Sequence, residues 1–181
     1  TFVDNHDVER IYSKVNNKEH LYNIYILLYT LYGIPSIYYG SEFAIEGKKE
    51  SGSDWNLRPC LELDDFKDAY ENNAITKLCI QLGKLKKDYT ELSAGGYEEL
   101  LLTNRQFAYS RNYNGKVIVI ALNNDDNETE LTINPHVACN EAKIILDGSV
   151  EDKNESVDCR VENGNVIVKL PANYGTIIEL S

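Results

Sequence analysis

The stretch Phe2-Val3-Asp4-Asn5-His6-Asp7 runs from two apolar residues directly into four polar ones. This pattern is typical of the carboxyl end of a buried strand whose loop opens on a pocket. Carboxylate, amide and imidazole groups are costly to bury without partners, so their clustering favours a binding or catalytic site. The same residue types are also good turn and helix-cap formers, and a short polar loop is the simpler alternative.

The chain that follows predicts a helix and then a second strand. Residues 18–32 are apolar on nearly all sides, which predicts a helix buried on two faces and ended by Gly33 and Pro35. Residues 34–39 predict a short buried strand. A strand, helix and strand in this order predict a βαβ unit with a parallel pair of strands.

Residues 41–59 are a polar loop that contains Trp55, the only tryptophan. A connection of this length favours a functional loop or disorder. Asp64 and Asp65 are candidate caps for a following helix, whose apolar residues repeat at helical spacing over 75–85. Asn72 and Asn73 interrupt the pattern and predict a kink or a break into two helices.

Beyond Gly95-Gly96 the pattern changes to short strands. Turn signals such as Asn114-Gly115, Asp147-Gly148 and Asn163-Gly164 separate them. The spacing predicts an antiparallel sandwich in which residues 117–122, apolar on both faces, are central. The predicted strands are residues 100–102, 107–111, 117–122, 131–133, 143–146, 157–161, 166–170 and 176–180.

The opening stretch resembles the fourth signature of the α-amylase superfamily of glycoside hydrolases, after the seventh strand of their (β/α)8 barrel. Residues 33–42 are similar to the eighth strand and its exit loop. With Arg58-Pro59 included, the motifs resemble the neopullulanase and cyclomaltodextrinase branch most. The resemblance covers residues 2–59. It implies an α+β fold in which residues 1–94 are the last two strand–helix units of the barrel and residues 95–181 are an antiparallel Greek-key β-sandwich.

The resemblance also implies roles for single residues. Asp7 would be the carboxylate that hydrogen-bonds the hydroxyls of the sugar at the cleavage point and stabilises the transition state. His6 would donate to the same sugar, and Arg58 matches a sugar-contacting arginine. Tyr39, at the end of the predicted eighth strand, is either a substrate-binding residue or part of the core. Trp55 either stacks on a glucose ring or packs its loop.

In this family the nucleophile and the acid/base follow the fourth and fifth barrel strands, which would precede Thr1. The chain begins at Thr1 and contains no Met, so we interpret it as part of a longer protein. We expect the C-terminal portion of a retaining α-glucan hydrolase acting on starch-derived oligosaccharides, inactive when isolated. An incomplete barrel leaves strand edges and helix faces uncovered, so these residues should need a partner surface, a homodimer contact or partial disorder.

Two other functions remain as alternatives. The first is a non-catalytic carbohydrate-binding module, whose sandwich would present exposed aromatic residues on one face; the candidates are Tyr97, Tyr109, Tyr113 and Tyr174. The second is a barrel homologue that has lost catalysis and serves as a scaffold or a transporter subunit. The intact Asn5-His6-Asp7 cluster argues against this second alternative.

Composition limits the partners. With 18 basic and 29 acidic residues, the net charge of −11 argues against nucleic-acid binding and suits a neutral ligand such as a sugar. The longest apolar run, residues 21–32, is too short to span a bilayer, so no membrane partner is expected.

The four cysteines, Cys60, Cys79, Cys139 and Cys159, show no metal-binding spacing. Three of them lie in apolar or strand-like contexts, so buried thiols are favoured over disulfides, which favours a cytoplasmic location. We expect no cofactor in this chain; Ca²⁺ in a parent protein is compatible with the resemblance but not supported by these residues. The sequons at Asn127 and Asn154 are expected to be chance occurrences.

Overall fold

The computed structural model describes residues 1–147 and 157–181. Its first half is helical, with short 3₁₀ turns in the connecting loops. The α-helices are α1 Ile11–Lys14, α2 His20–Thr30, α3 Ala69–Asn72, α4 Ala74–Asp88 and α5 Thr90–Ala94, and the 3₁₀ turns are Ser41–Phe43, Trp55–Leu57 and Leu63–Phe66.

Helix α2 is the helix predicted over residues 18–32, and it is confirmed with slightly shorter bounds. Leu21, Tyr25 and Ile26 are each at most 2% exposed, as expected for a helix that is apolar on several sides. The helix ends where the Leu31 N–H donates to the Leu27 carbonyl. Gly33 follows at φ +96°, a left-handed conformation that glycine adopts without steric cost.

The strands predicted on either side of α2 are not formed, and the prediction of a parallel βαβ pair is wrong in this respect. The two segments do lie side by side, because the Ser36 N–H donates to the Thr1 carbonyl at 2.8 Å and the Thr1 ammonium donates to the Ile34 carbonyl at 3.0 Å. A strand requires a continuous ladder of such bonds, and the segment beside residues 34–36 contributes only its first residue to the pairing.

The predicted break at Asn72 and Asn73 is confirmed. Helix α3 ends at Asn72, and Asn73 caps the next helix, α4, by accepting the Thr76 N–H on its side-chain oxygen at 3.0 Å. The Asn73 side-chain amide also donates to the Phe43 carbonyl at 2.9 Å, which fixes the start of α4 against the loop that follows residues 34–39. An asparagine at this position therefore stabilises both a helix end and a loop.

All eight predicted strands are present in the described residues; seven are longer than predicted by one to four residues, and the strand predicted at 157–161 is shifted by one residue to Asp158–Glu162. They form a five-stranded antiparallel sheet in the order β1-β2-β3-β8-β5 and a three-stranded antiparallel sheet in the order β4-β7-β6. The strands are β1 Gly96–Leu102, β2 Gln106–Tyr113, β3 Lys116–Asn123, β4 Thr129–Ile133, β5 Ala142–Asp147, β6 Asp158–Glu162, β7 Asn165–Leu170 and β8 Tyr174–Leu180.

Strand β3 lies in the middle of the larger sheet, as predicted, and both of its faces are buried. Its side chains alternate between two cores, as the two-residue period of a strand requires. Val119 and Ala121 pack with the three-stranded sheet, whereas Ile118 and Ile120 pack with α2, α4 and α5. The molecule therefore has three layers, in which the helices cover one face of the five-stranded sheet and the smaller sheet covers the other.

Polar contacts join the helical layer to the sheet. The buried Arg111 guanidinium donates to the carbonyls of Thr30, Gly95 and Gly96. The Asn23 amide donates to the Asn123 carbonyl at 3.0 Å. Secondary structure changes from helix to strand between Ala94 and Gly96, at the predicted boundary, yet the two sides share a core. The division into domains at residues 1–94 and 95–181 stays a prediction.

The structure corrects the aromatic face that a carbohydrate-binding sandwich would need. Tyr109 is fully buried and Tyr174 is 5% exposed, so neither presents a ring to solvent. Tyr97 packs against the helix-side core and stacks near Tyr109, with ring centroids 5.4 Å apart. Among the four candidates only Tyr113, at 40%, is exposed. The rings of Tyr97, Tyr109 and Tyr174 instead pack into the cores on the two faces of the five-stranded sheet.

Buried thiols were predicted for three of the four cysteines; Cys79 and Cys139 are buried, Cys159 is half-buried and Cys60 is exposed. Cys60 directly follows Arg58-Pro59 at the surface loop, outside both cores. The turn at Gly148 and the sequon at Asn154 lie outside the described residues.

No helix in the described part of the chain is long and apolar enough to cross a membrane. Within residues 1–147 and 157–181, no group of three or more His, Cys, Asp or Glu side chains is placed to hold a metal ion.

Candidate functional site

His6, Asp7 and Arg58 meet at the surface, although Arg58 lies far along the chain. The Arg58 Nη2 is 3.3 Å from one carboxylate oxygen of Asp7, and the His6 Nε2 is 3.2 Å from the other. The Asp7 side chain remains 61% exposed and that of His6 55% exposed. The cluster is thus an accessible carboxylate that accepts from Arg58 at one oxygen and lies beside the His6 imidazole at the other.

Backbone contacts fix the loop that carries this cluster. The Asp7 N–H donates to the Asn5 side-chain oxygen at 2.8 Å, an Asx turn that orients the loop. The Lys49 ammonium donates to the Asp7 carbonyl at 3.1 Å, and the Arg58 Nε donates to the His6 carbonyl at 3.3 Å. The loop of residues 41–59 therefore closes over residues 6 and 7, as a functional loop in this position would.

A second carboxylate, Asp4, lies beneath the surface cluster and is only 2% exposed. One of its oxygens accepts the Ile11 N–H at 2.9 Å and the Ser41 hydroxyl at 2.7 Å. The Ser41 oxygen in turn accepts from the Arg10 Nη1 at 3.2 Å. Asp4 therefore accepts from a backbone N–H and from a hydroxyl that is itself hydrogen-bonded to the Arg10 guanidinium. A buried carboxylate requires partners of this kind.

Arg10 is fully buried and connects the three segments of the site. Its guanidinium donates to the Tyr39 carbonyl at 2.8 Å and to the Leu57 carbonyl at 3.1 Å, besides the Ser41 hydroxyl. Its central carbon lies 4.7 Å from the centroid of the Tyr38 ring and 5.3 Å from that of Tyr39. These distances lie within the range of cation–π attraction. The planar fork of an arginine suits this set of separated acceptors.

Tyr38 and Tyr39 line the boundary between this buried arginine and the surface. The Tyr39 hydroxyl donates to the Pro59 carbonyl at 2.9 Å, and its side chain is partly exposed. The Tyr38 hydroxyl donates to the Leu57 carbonyl at 3.2 Å, and burial raises its pKa, so it stays a donor at neutral pH. Tyr39 therefore both holds the loop and keeps part of its ring open to solvent.

The chain is similar to a known protein family and to several known proteins. The family model described as "Alpha amylase, catalytic domain" matches residues 1–92 of the 181-residue chain, which includes the whole cluster. The chain belongs to the α-amylase family. A cyclomaltodextrinase of Thermoanaerobacter pseudethanolicus is 29% identical over 73% of the chain, and a cyclomaltodextrin glucanotransferase of Bacillus sp. strain 17-1 is 30% identical over 70%. The chain covers 22% and 16% of these two relatives, respectively.

Solved structures of α-amylase family proteins extend the likeness to the β-strands. The Anoxybacillus α-amylase superimposes on the whole chain with a TM-score of 0.81 at 24% identity, which shows the fold. CldA, a cyclomaltodextrin glucanotransferase with a three-domain arrangement, covers 99% of the chain with a TM-score of 0.79 at 26% identity. The chain spans 37% and 36% of those two structures.

In this α-amylase family chain, the structure brings together three of the four predicted site residues, His6, Asp7 and Arg58. Tyr39 lies at the base of the same loop, joined to Pro59 beside Arg58. Sequence reasoning missed the buried support formed by Asp4 and Arg10. Both stand in the polar run after Val3, but a run of charges is commonly a solvated loop, and no local signal distinguishes a buried arginine from an exposed one.

Proposed function

We propose that this chain is the C-terminal portion of a retaining α-glucan hydrolase that acts on the α-glucosidic bonds of starch-derived oligosaccharides. Its helical part would be the last two strand–helix units of a (β/α)8 barrel, and its sheets a Greek-key β-sandwich. Support comes from the family match over residues 1–92 and from relatives named cyclomaltodextrinase and cyclomaltodextrin glucanotransferase. Membership of the family is shown by these matches, and the reaction and its substrate are proposed.

The observation that carries the proposal is the state of Asp7. Its carboxylate is exposed and lies between the Arg58 guanidinium and the His6 imidazole, on the loop that Asp4 and Arg10 support from beneath. Ion pairs between exposed groups contribute little to stability, so the carboxylate can exchange Arg58 for sugar hydroxyls at small cost. A structural carboxylate would instead resemble Asp4, which is buried and fully engaged.

In the proposed reaction each residue of the cluster has its own role. The Asp7 carboxylate accepts two hydrogen bonds from adjacent hydroxyls of the sugar at the cleavage point, and its charge offsets the positive charge that develops on the ring. His6 donates to the same sugar, while Arg58 and the Tyr39 ring bound the neighbouring position. The nucleophile and the acid/base that retaining hydrolysis requires would be supplied by a part of the parent protein outside this chain.

The proposed partner is an α-glucan oligosaccharide, and a second copy of the chain is a further one. Phe2 and Ile34 are 59% and 83% exposed, and both neighbour Thr1, whose ammonium binds the Ile34 carbonyl. Exposed apolar side chains grouped in this way favour a covered surface. The rest of the proposed barrel would cover this face in the parent enzyme, and a homodimer contact would cover it in the isolated chain.

Asp7→Asn in the longer parent enzyme tests the proposed role. An amide keeps the shape but loses the negative charge, so we expect kcat to fall about a hundredfold, roughly 3 kcal/mol, with a smaller change in KM. Asp64→Asn, at an exposed position on a 3₁₀ turn, is the matched control and should leave both constants unchanged. An Asp7→Asn enzyme with unchanged kcat would contradict the role, and turnover of maltose, pullulan or cyclodextrin by the 181-residue chain alone would contradict the proposed division of the active site.

A further inference from the structure

Trp55 presents its ring to solvent from a firmly held turn. Its side chain is 81% exposed, so it does not pack the loop, which was one of the two readings of this residue. The same 3₁₀ turn, Trp55–Leu57, is anchored at its other end by Leu57, which is fully buried. The Leu57 carbonyl accepts from both the Arg10 guanidinium and the Tyr38 hydroxyl. An exposed indole on an anchored backbone loses little freedom when a ligand covers it.

A groove of about 620 Å³ lies beside this ring. Its lining combines the indole with the carboxylates of Glu46 and Glu50, the ammonium of Lys48 and the amide of Asn56. Donors and acceptors of both charge signs thus surround one apolar plane. This mixture suits a neutral polyhydroxylated ligand, whose hydroxyls both donate and accept, better than it suits an anion or a cation.

Ion pairs link the turn that carries Trp55 to the surface cluster at Asp7. Asp54, the residue before Trp55, lies 3.6 Å from the Arg58 Nη2 and 3.8 Å from the Lys49 Nζ. The same two cations bind Asp7, through its carboxylate and its carbonyl respectively. The Trp55 turn and the Asp7 cluster are therefore neighbours that share Arg58 and Lys49 as partners.

We propose that Trp55 is the stacking platform of an accessory α-glucan site, which holds the part of an oligosaccharide remote from the cleavage point. The identity of the ligand rests on the proposed function. The apolar C–H face of a glucose ring covers the indole, and the flanking carboxylates, ammonium and amide bind its equatorial hydroxyls. Binding at this site favours longer oligosaccharides over short ones, because only a long chain reaches both Asp7 and Trp55.

The single tryptophan makes the site directly observable in the 181-residue chain. Maltoheptaose should change the Trp55 fluorescence saturably, and cellohexaose, with β linkages, should not. In calorimetric titrations with maltoheptaose, Trp55→Ala should weaken binding about tenfold or more, whereas Trp55→Phe, which keeps an aromatic plane, should weaken it only about threefold. Tyr70→Ala, at an aromatic residue 63% exposed on α3, is the matched control and should bind as the unmodified chain does.

These measurements test the accessory site separately from the proposed role of Asp7. The accessory site is overturned if Trp55→Ala leaves the affinity for maltoheptaose unchanged, or if cellohexaose gives the same response. It is also overturned, in favour of a protein partner, if an added protein changes the Trp55 signal and maltoheptaose does not. In the longer enzyme, Trp55→Ala should lower kcat/KM for maltoheptaose but not for maltotriose. An equal loss for both substrates also overturns the site. Binding that depends on Trp55 in a protein whose Asp7→Asn variant keeps full turnover supports the accessory site and contradicts the proposed role of Asp7.

Discussion

Arg10→Ala tests whether the buried arginine holds the site together. The change removes three charge-assisted hydrogen bonds, to the Tyr39 and Leu57 carbonyls and to the Ser41 hydroxyl. Hydrogen bonds to charged groups contribute about 1.5–3 kcal/mol each, so the three set an upper bound of about 9 kcal/mol. Loss of one partner from a buried charged network typically costs about 3–5 kcal/mol, since water partly replaces it. We therefore expect the free energy of unfolding to fall by about 4 kcal/mol.

Urea denaturation followed by far-UV circular dichroism measures this change. With an m-value of about 2 kcal/mol/M, the midpoint should fall by about 2 M. Arg160→Ala is the matched control, because Arg160 lies on the sheet edge, is 39% exposed and pairs with Glu162 and Glu130 at the surface. Its midpoint should not move. A shift in Arg10→Ala no larger than that of Arg160→Ala would show that the three bonds do not support the site.

Two further predictions concern packing and thiol chemistry. A methyl group at Gly175 would lie 2.6 Å from the Ile26 side chain, so Gly175→Ala should destabilise the fold by about 1–3 kcal/mol. Gly83→Ala in α4, whose added methyl would have no neighbour nearer than 4.0 Å, should stabilise the fold by up to about 1 kcal/mol. Thermal unfolding in which Gly175→Ala is the more stable of the two variants would refute this packing. Burial raises the pKa of the Cys79 thiol to about 12, so little thiolate forms at pH 8. We therefore expect Cys79 to react with a thiol reagent at least about a hundredfold more slowly than the exposed Cys60. Similar reaction rates for the two cysteines would contradict the burial of Cys79.

The sequence alone predicted helix α2 and the eight strands of the two sheets because their signals are local. The continuous apolar run of residues 117–122, which has no polar face, placed β3 in the centre of the sheet, and Asn72 and Asn73 marked the break before α4. The prediction of a strand at residues 34–39 was wrong because it depended on contacts that are not local. Its composition suits a buried strand, but a strand exists only where a neighbour completes the ladder, and composition does not report on neighbours.

Some residues of the candidate site were identified from the sequence, whereas their contacts and burial are known only from the structure. The motif at residues 2–7 identified His6 and Asp7, and the distant Arg58 was recognised only through its resemblance to a family position. The structure shows that Arg58 and Asp7 meet although 51 residues separate them. It also shows that Arg10 is buried, which a run of polar residues does not indicate.

The sequence by itself determined helix α2, the break before α4, the eight strands of the two sheets, and the polar motif that marks the site. The tertiary structure alone decided which side chains meet and which stay exposed: that Asp7 is open to solvent while Asp4 is enclosed, and that Trp55 faces a groove. Secondary structure follows from repeats within a few residues of each other, whereas burial and pairing depend on packing between segments that are far apart in the chain.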